Sequence, residues 1–237
     1  MAGARQRPGA TLTTLFPPAM TRPGRRTGLL GGSFNPAHGG HRRITRFAMQ
    51  ALALDEAWWL VSPGNPLKPK AGMAPLHARI RSAQKMARRL PIRATAIERE
   101  LGTVYTLDTL RALTRRYPRR EFIWLMGSDN LAQFHRWKDW RKIARIMPIA
   151  VIARPGYEGA AMASPAMAWL RRYRVSAAGF RSRGRWSAPA LVLLRFDPDP
   201  SSATALRRAD PEWVSHYSDR PVRDSLTHHL INPQEGA

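Results

Sequence analysis

Cysteine is absent from this chain of 237 residues. Disulfides and thiolate chemistry are thereby excluded, and the composition suits a reducing compartment, so a cytoplasmic location is expected. No apolar run approaches the ~18 residues that a membrane-crossing helix needs, and no membrane partner is expected. Residues 1–26 carry Arg and Pro but lack the continuous apolar stretch of a secretory signal. They read as a flexible basic leader, with Met20 as a second candidate start. Carboxylates are also scarce, 16 Asp and Glu against 39 Lys and Arg. The loops accordingly show no paired-carboxylate and no Ser-His-Asp arrangement.

The resulting formal charge is +23, which by itself points towards nucleic acid. Only five of the basic residues are Lys, and the Arg is spread along the chain. A localised stripe marks a nucleic-acid surface better than a total does. An RNA-binding protein is therefore the alternative from another class, not the main reading. A generally basic surface would also steer small polyanions toward a site. The hydrophobic fraction of 43% supplies a core of ordinary size.

From Thr27 onward, strand-like and helix-like segments alternate. TGLLGGS (27–33), AWWLVSP (57–63), IRATAIE (92–98), EFIWLMGS (121–128), IMPIAVIARPG (146–156) and ALVLLRFD (190–197) read as buried strands. HRRITRFAMQALAL (41–54), PLHARIRSAQKMARRL (75–90) and TLDTLRALTRRY (106–117) carry apolar residues at helical spacing, and SSATALRR (201–208) starts a short helix. This rhythm predicts an α/β fold of Rossmann-like, doubly wound type, a mostly parallel sheet with helices on both faces. Residues 27–237 read as a single domain, with 157–189 an insertion or lid and 201–237 a C-terminal helical region. Ligands of such sheets lie outside the carboxyl ends of the strands. GGSFNPAHGGH (31–41), SPGNPLKPK (62–70), GSDN (127–130), RPG (154–156) and PDPSSATALR (198–207) all fall there.

The first of these loops matches neither a P-loop nor the G-x-G-x-x-G fingerprint. Gly31 and Gly32 follow a strand and let backbone N–H groups come close to an anion. His38 and His41, three residues apart at the start of a helix, can turn both rings to one point near its positive end. That position suits phosphate oxygens. A zinc site is the rival reading, and two His without a third ligand make a poor one.

Gly-Gly-x-Phe-Asn-Pro-x-His-x-Gly-His resembles the signature of the nucleotidylyltransferase superfamily. The resemblance implies that His38 and His41 bind ATP phosphates and stabilise a pentavalent transition state. It also implies that Gly31, Gly32, Ser33 and Phe34 of the same signature lie at ATP. Many members carry Asp where this chain has Asn35. SSATALRR resembles the second signature, S-[ST]-T-x-[IL]-R. By that likeness Ser202, Thr204 and the catalytic Arg207 hold the β- and γ-phosphates, and Ala203 stands where a second Ser is frequent.

TVYTLDTL (103–110), MGSDNLAQFHRWKDW (126–140) and VIARPG (151–156) are similar to the bacterial nicotinate-nucleotide adenylyltransferase family in particular. That likeness implies transfer of AMP from ATP to nicotinate mononucleotide, with release of pyrophosphate, in NAD biosynthesis. It puts Tyr105, Thr106 and Trp137 at the nicotinate nucleotide, Gly127 and Asp129 near the adenosine, and Lys68 near the phosphates. No residue is assigned to a resident metal; Mg²⁺ is expected to arrive with ATP. Nicotinamide mononucleotide and other phosphorylated acceptors are the alternatives within the superfamily. The sequence specifies no oligomeric state.

Overall fold

The computed structural model describes residues 24–64, 72–153, 156–196, 202–217 and 220–233. Its centre is a seven-stranded, wholly parallel sheet in the order β3-β2-β1-β4-β5-β7-β6. The strands are β1 (Arg25–Gly32), β2 (Glu56–Val61), β3 (Ile92–Thr95), β4 (Arg120–Gly127), β5 (Ile149–Ile152), β6 (Arg174–Val175) and β7 (Leu191–Leu194). The helices are α1 (Gly39–Leu52), α2 (Leu76–Ala87), α3 (Ile97–Glu100), α4 (Thr106–Arg116), α5 (Ser128–Gln133), α6 (Trp140–Ile146), α7 (Glu158–Met162), α8 (Pro165–Leu170), α9 (Ala177–Arg181) and α10 (Ala203–Ala209). A separate antiparallel pair, β8 (Val222–Arg223) and β9 (Leu230–Ile231), follows.

Side chains alternate across each strand, so each strand feeds two cores. Leu30, Trp59, Leu125 and Val192 pack under α1, α2 and α9; Leu29, Trp58, Trp124 and Leu191 pack under α4 to α8. Burial on both faces explains why these strands read as unbroken apolar runs rather than alternating ones. The chain proceeds outward from β1 to β2 and β3, then returns to place β4 on the other side of β1. The carboxyl ends of β1 and β4 therefore flank a topological switch point, where open α/β sheets bind ligands.

The opposite edge is built for stability. Glu56, at the start of β2 and 1% exposed, receives Arg120, Arg93 at 3.2 Å, Arg25 at 3.6 Å and the Trp58 indole N–H at 2.9 Å. A buried carboxylate is tolerated there because its oxygens are paired with guanidinium and indole donors.

Several boundaries differ from the sequence reading. β1 begins at Arg25, inside the stretch read as leader, because Arg26 N–H donates to Asp55 at 2.7 Å and its guanidinium reaches the Arg181 and Arg183 carbonyls. Residues 1–23 of that leader lie outside the described residues. β3 stops at Thr95 rather than running to Glu98. There the Asp224 carboxylate accepts the Ala96 N–H at 2.6 Å, Thr95 Oγ1 accepts that of Ile97, and the chain turns into α3. The 157–189 segment, read as an insertion or lid, is part of the sheet: its β6 pairs with β7, and α7, α8 and α9 pack on the two cores. Among its described residues, the C-terminal region read as helical holds one short helix, α10, and then the β8–β9 hairpin. In the loop between these strands Asp224 Oδ1 accepts from Leu226 and Thr227, a local turn that competes with helix.

Candidate active site

Gly31 and Gly32 close β1, alongside Leu60 and Val61 of β2. A Cβ on Gly31 would sit 2.6 Å from the Trp124 ring, so glycine here lets β1 pass over a buried indole. Phe34 then adopts a left-handed backbone (φ 47°) with its side chain 1% exposed. Such a conformation costs on the order of 1–3 kcal/mol. Burying the ring returns about as much, and it is also stacked on Trp59 (centroids 5.1 Å) and packed against His41 (4.8 Å). The phenyl ring thus supports the His41 ring from the core side. If Phe34 lies at ATP as the signature implies, it does so through its main chain, because its ring is in the core.

His38 is the N-cap of α1, and His41 lies in the first turn, their ring centroids 3.9 Å apart. His41 Nδ1 accepts the His38 N–H at 3.2 Å, which puts the His41 ring proton on Nε2, away from the helix end. Thr45 donates to the His41 carbonyl at 2.7 Å and accepts from the Trp59 indole at 2.9 Å, tying this turn to β2. Both rings therefore sit at a fixed helix N-terminus, where partial positive charge accumulates.

Asn35 is 6% exposed, and its amide brackets a second segment. Nδ2 donates to the Gly72 carbonyl at 2.8 Å, and Oδ1 accepts the Ala74 N–H at 3.2 Å. Its main-chain carbonyl accepts from Arg207 at 2.6 Å, and Arg207 also donates to Thr204 Oγ1 at 3.3 Å. Ser202 caps α10 by accepting the Ala205 N–H. The two signature segments, 172 residues apart between Asn35 and Arg207, thus meet through a direct hydrogen bond.

Across the switch point, Gly127 ends β4 and caps α5; a Cβ there would overlap the Asp129 carboxylate. Tyr105 is the N-cap of α4 and 40% exposed, with the Lys138 ammonium 4.1 Å above its ring. Thr106 begins the helix. Trp137, half-buried after α5, is edge-on to Trp124 (6.3 Å) and Phe134 (5.3 Å). Glu98 accepts from Thr109 at 3.2 Å, and burial pushes its carboxyl up to about 7 against the opposing effect of the Thr109 and Ser62 hydroxyls.

The chain matches the cytidylyltransferase-like family model over residues 29–209. A protein of Erythrobacter litoralis, named probable nicotinate-nucleotide adenylyltransferase, is 72% identical over 206 residues, 87% of this chain and 94% of that one. The chain belongs to the nicotinate-nucleotide adenylyltransferases. A protein of Parvibaculum lavamentivorans with the same name is 51% identical over 185 residues, 78% of this chain and 92% of that one. The Plasmodium falciparum nicotinic acid mononucleotide adenylyltransferase complexed with NaAD has the same fold. It aligns with TM-score 0.59 at 16% identity, over 78% of this chain and 83% of that one. This adenylyltransferase is a nucleotidyltransferase of NAD biosynthesis that passes AMP from ATP to nicotinate mononucleotide.

The fold brings His38, His41, Ser202, Thr204 and Arg207 together at the end of β1. Gly127 and Asp129 stand at the end of the neighbouring β4, with Trp137 beyond them. Tyr105 and Thr106 open α4, whose Leu107, Leu110 and Leu113 share a core with Trp58 and Trp124. Lys68 lies outside the described residues. Sequence reasoning missed Arg79, which is 1% exposed, is bonded among the described residues to main-chain carbonyls, and has a guanidinium whose pKa burial pulls down to about 10. It also missed Ser82, Glu98 and Lys138. One signal for Arg79 and Ser82 was available: they flank the Leu76, Ile80, Ala83 and Ala87 stripe of α2, which is the buried face.

Proposed function

We propose that His38, His41 and Arg207 carry the adenylyl transfer, and that ATP lies along the end of β1 with the nicotinate nucleotide toward α4 and Trp137. The observation that carries this reading is the Arg207 to Asn35 hydrogen bond, which joins the two signature segments at the switch point. A phosphate oxygen of nicotinate mononucleotide attacks the α-phosphorus of ATP. That P–O bond forms as the bond to the α,β-bridging oxygen breaks, and pyrophosphate leaves with the electron pair. The nucleophile is already ionised at neutral pH, so no general base is needed. Catalysis consists of positioning and of donors around developing charge.

His41 Nε2–H and the His38 ring supply donors beside the N-terminus of α1, a fourteen-residue helix. Arg207, Ser202 and Thr204 hold the departing pyrophosphate, with Gly31, Gly32, Ser33 and the Phe34 main chain lining the near side. Gly127 and Asp129 contact the adenosine. Tyr105 and Thr106 receive the nicotinate group, and Trp137 stacks on its ring. Among the described residues no three of His, Cys, Asp or Glu are grouped to hold a metal ion. In this reading Mg²⁺ comes as part of the ATP substrate and keeps several waters. The reading puts the enzyme in the cytoplasm, with ATP. Among the described residues no helix is long and apolar enough to cross a membrane.

The test is pyrophosphate release by His41→Ala, with ATP affinity measured separately. Turnover should fall by about 100-fold or more while the ATP dissociation constant moves only a few-fold. Parallel loss in both would remove the transition-state role. Running wild type on nicotinate and nicotinamide mononucleotides in parallel tests the acceptor, and nicotinate should win clearly.

A further inference from the structure

Two connections that leave the sheet at its carboxyl edge, β1–α1 and β2–α2, turn their carbonyls onto one buried cation. Arg79 of α2 donates to Ser33 O at 2.9 Å, Ser62 O at 2.6 Å, Ala74 O at 2.8 Å and Pro63 O at 3.4 Å. One turn on, Ser82 Oγ accepts the Ala37 N–H at 3.0 Å. Among the described residues its four acceptors are all neutral oxygens. Burying a charge against neutral acceptors is expensive, and an apolar side chain would fill the buried face of α2 without that cost. The acceptors indicate what the guanidinium adds beyond packing.

A peptide carbonyl facing a polyanion repels it, whereas a peptide N–H attracts it. In a trans peptide the N–H points opposite to the C=O. With the Ser33 carbonyl drawn down to Arg79, the Phe34 N–H is directed away from Arg79; with Pro63 held likewise, so is that of Gly64. The other two carbonyls precede prolines, Pro63 and Pro75, which have no N–H. The Asn35 amide fastens Gly72 and Ala74 to the same group of segments.

We propose that Arg79, supported by Ser82, is a positioning residue for ATP. It holds the carbonyl sides of the β1–α1 turn and of the segment after β2 inward, so that their N–H sides and a net positive charge meet the triphosphate. This rests on the assignment of the β1–α1 turn to ATP made above.

Steady-state kinetics of Arg79→Lys and Ser82→Ala, varied in each substrate and paired with melting curves, test it. Lys keeps the charge but cannot span the carbonyls with a planar fork. The KM for ATP should rise about tenfold or more in Arg79→Lys, by analogy with other misplacements of positioning groups, and less in Ser82→Ala. The KM for nicotinate mononucleotide should stay within about twofold in both. A folded Arg79→Lys with an unchanged KM for ATP overturns the inference, as does an equal rise for both substrates, the mark of a merely structural role. If Arg79→Lys does not fold, Ser82→Ala is judged by the same rule. Failure of the underlying site assignment is distinguishable, because His41→Ala would then leave turnover intact. If only the Arg79 inference fails, that loss remains.

Discussion

At the residue scale, the site rests on side chains whose work is to hold other groups still. Phe34 and Trp59 carry the His41 ring, and the hydrogen bond from the His38 N–H sets its tautomer. Glu98 is the exception, a carboxylate near the opening of α4 that burial raises from 4.5 to about 7. Between those values the folded state binds more protons than the unfolded state. The stabilising contribution is therefore complete below pH 4.5 and is lost as pH rises through about 7. Glu98→Gln should flatten this part of the stability curve and leave the variant more stable than wild type at pH 8, by at most about 3 kcal/mol. Urea denaturation at pH 5 and pH 8 measures it. Identical pH slopes for the two proteins would mean Glu98 is not strained in the folded state.

At the element scale, the C-terminal hairpin finishes the sheet edge that β3 leaves open. Ser225 N–H donates to the Ala94 carbonyl, Gln84 donates to the Arg223 carbonyl, and Arg93 donates to that of Ser225. Asp224, 2% exposed, accepts N–H groups from Ala96, Leu226 and Thr227. Asp224→Ala strands three donors, the buried Ala96 N–H and the half-buried ones of Leu226 and Thr227, and an unpaired buried donor costs about 1–3 kcal/mol. A fall of about 3 kcal/mol or more in unfolding free energy is expected, read from the denaturant midpoint at constant slope. A change under about 0.5 kcal/mol would show that water replaces the carboxylate without cost. An exposed strand edge also templates pairing with other chains, so the same variant should aggregate more readily on heating.

At the scale of the whole molecule, strand order and charge act together. The β3-β2-β1-β4-β5 order puts one crevice at the carboxyl ends of β1 and β4, and a chain of charge +23 surrounds it. Two polyanionic substrates must be brought together there, and a positive field raises their encounter rate. The KM for ATP should rise several-fold between about 50 and 300 mM KCl, because the Debye length shrinks over that range. A flat salt profile would show that the charge plays no part in capture. Tight, salt-sensitive oligonucleotide binding that competes with ATP would instead favour the nucleic-acid role that the composition first suggests.

Local pattern was enough to read the alternation of buried strands and amphipathic helices, and with it a parallel sheet whose loops share one edge. Hydrophobic periodicity is a short-range property, and β1, β2, β4, β5 and β7 each keep it within themselves. The two histidines stood out because they share one turn of chain, whereas the late Ser-Thr-Arg segment stood out only through its resemblance to the second family signature. What local pattern could not contain was decided by contacts between distant segments. β6, two residues long, exists because β7 lies beside it, and β3 ends where Asp224 reaches it from the far terminus. Arg79 looks like any of the arginines of its helix until folding buries it under the β1–α1 and β2–α2 connections. That the Phe34 ring packs into the core was likewise not visible in the motif that contains it. Burial and partnership are properties of the assembled fold. The sequence by itself therefore determined the kind of sheet and which segments gather at its carboxyl edge, whereas only the tertiary structure decided which side chains hold those segments in place.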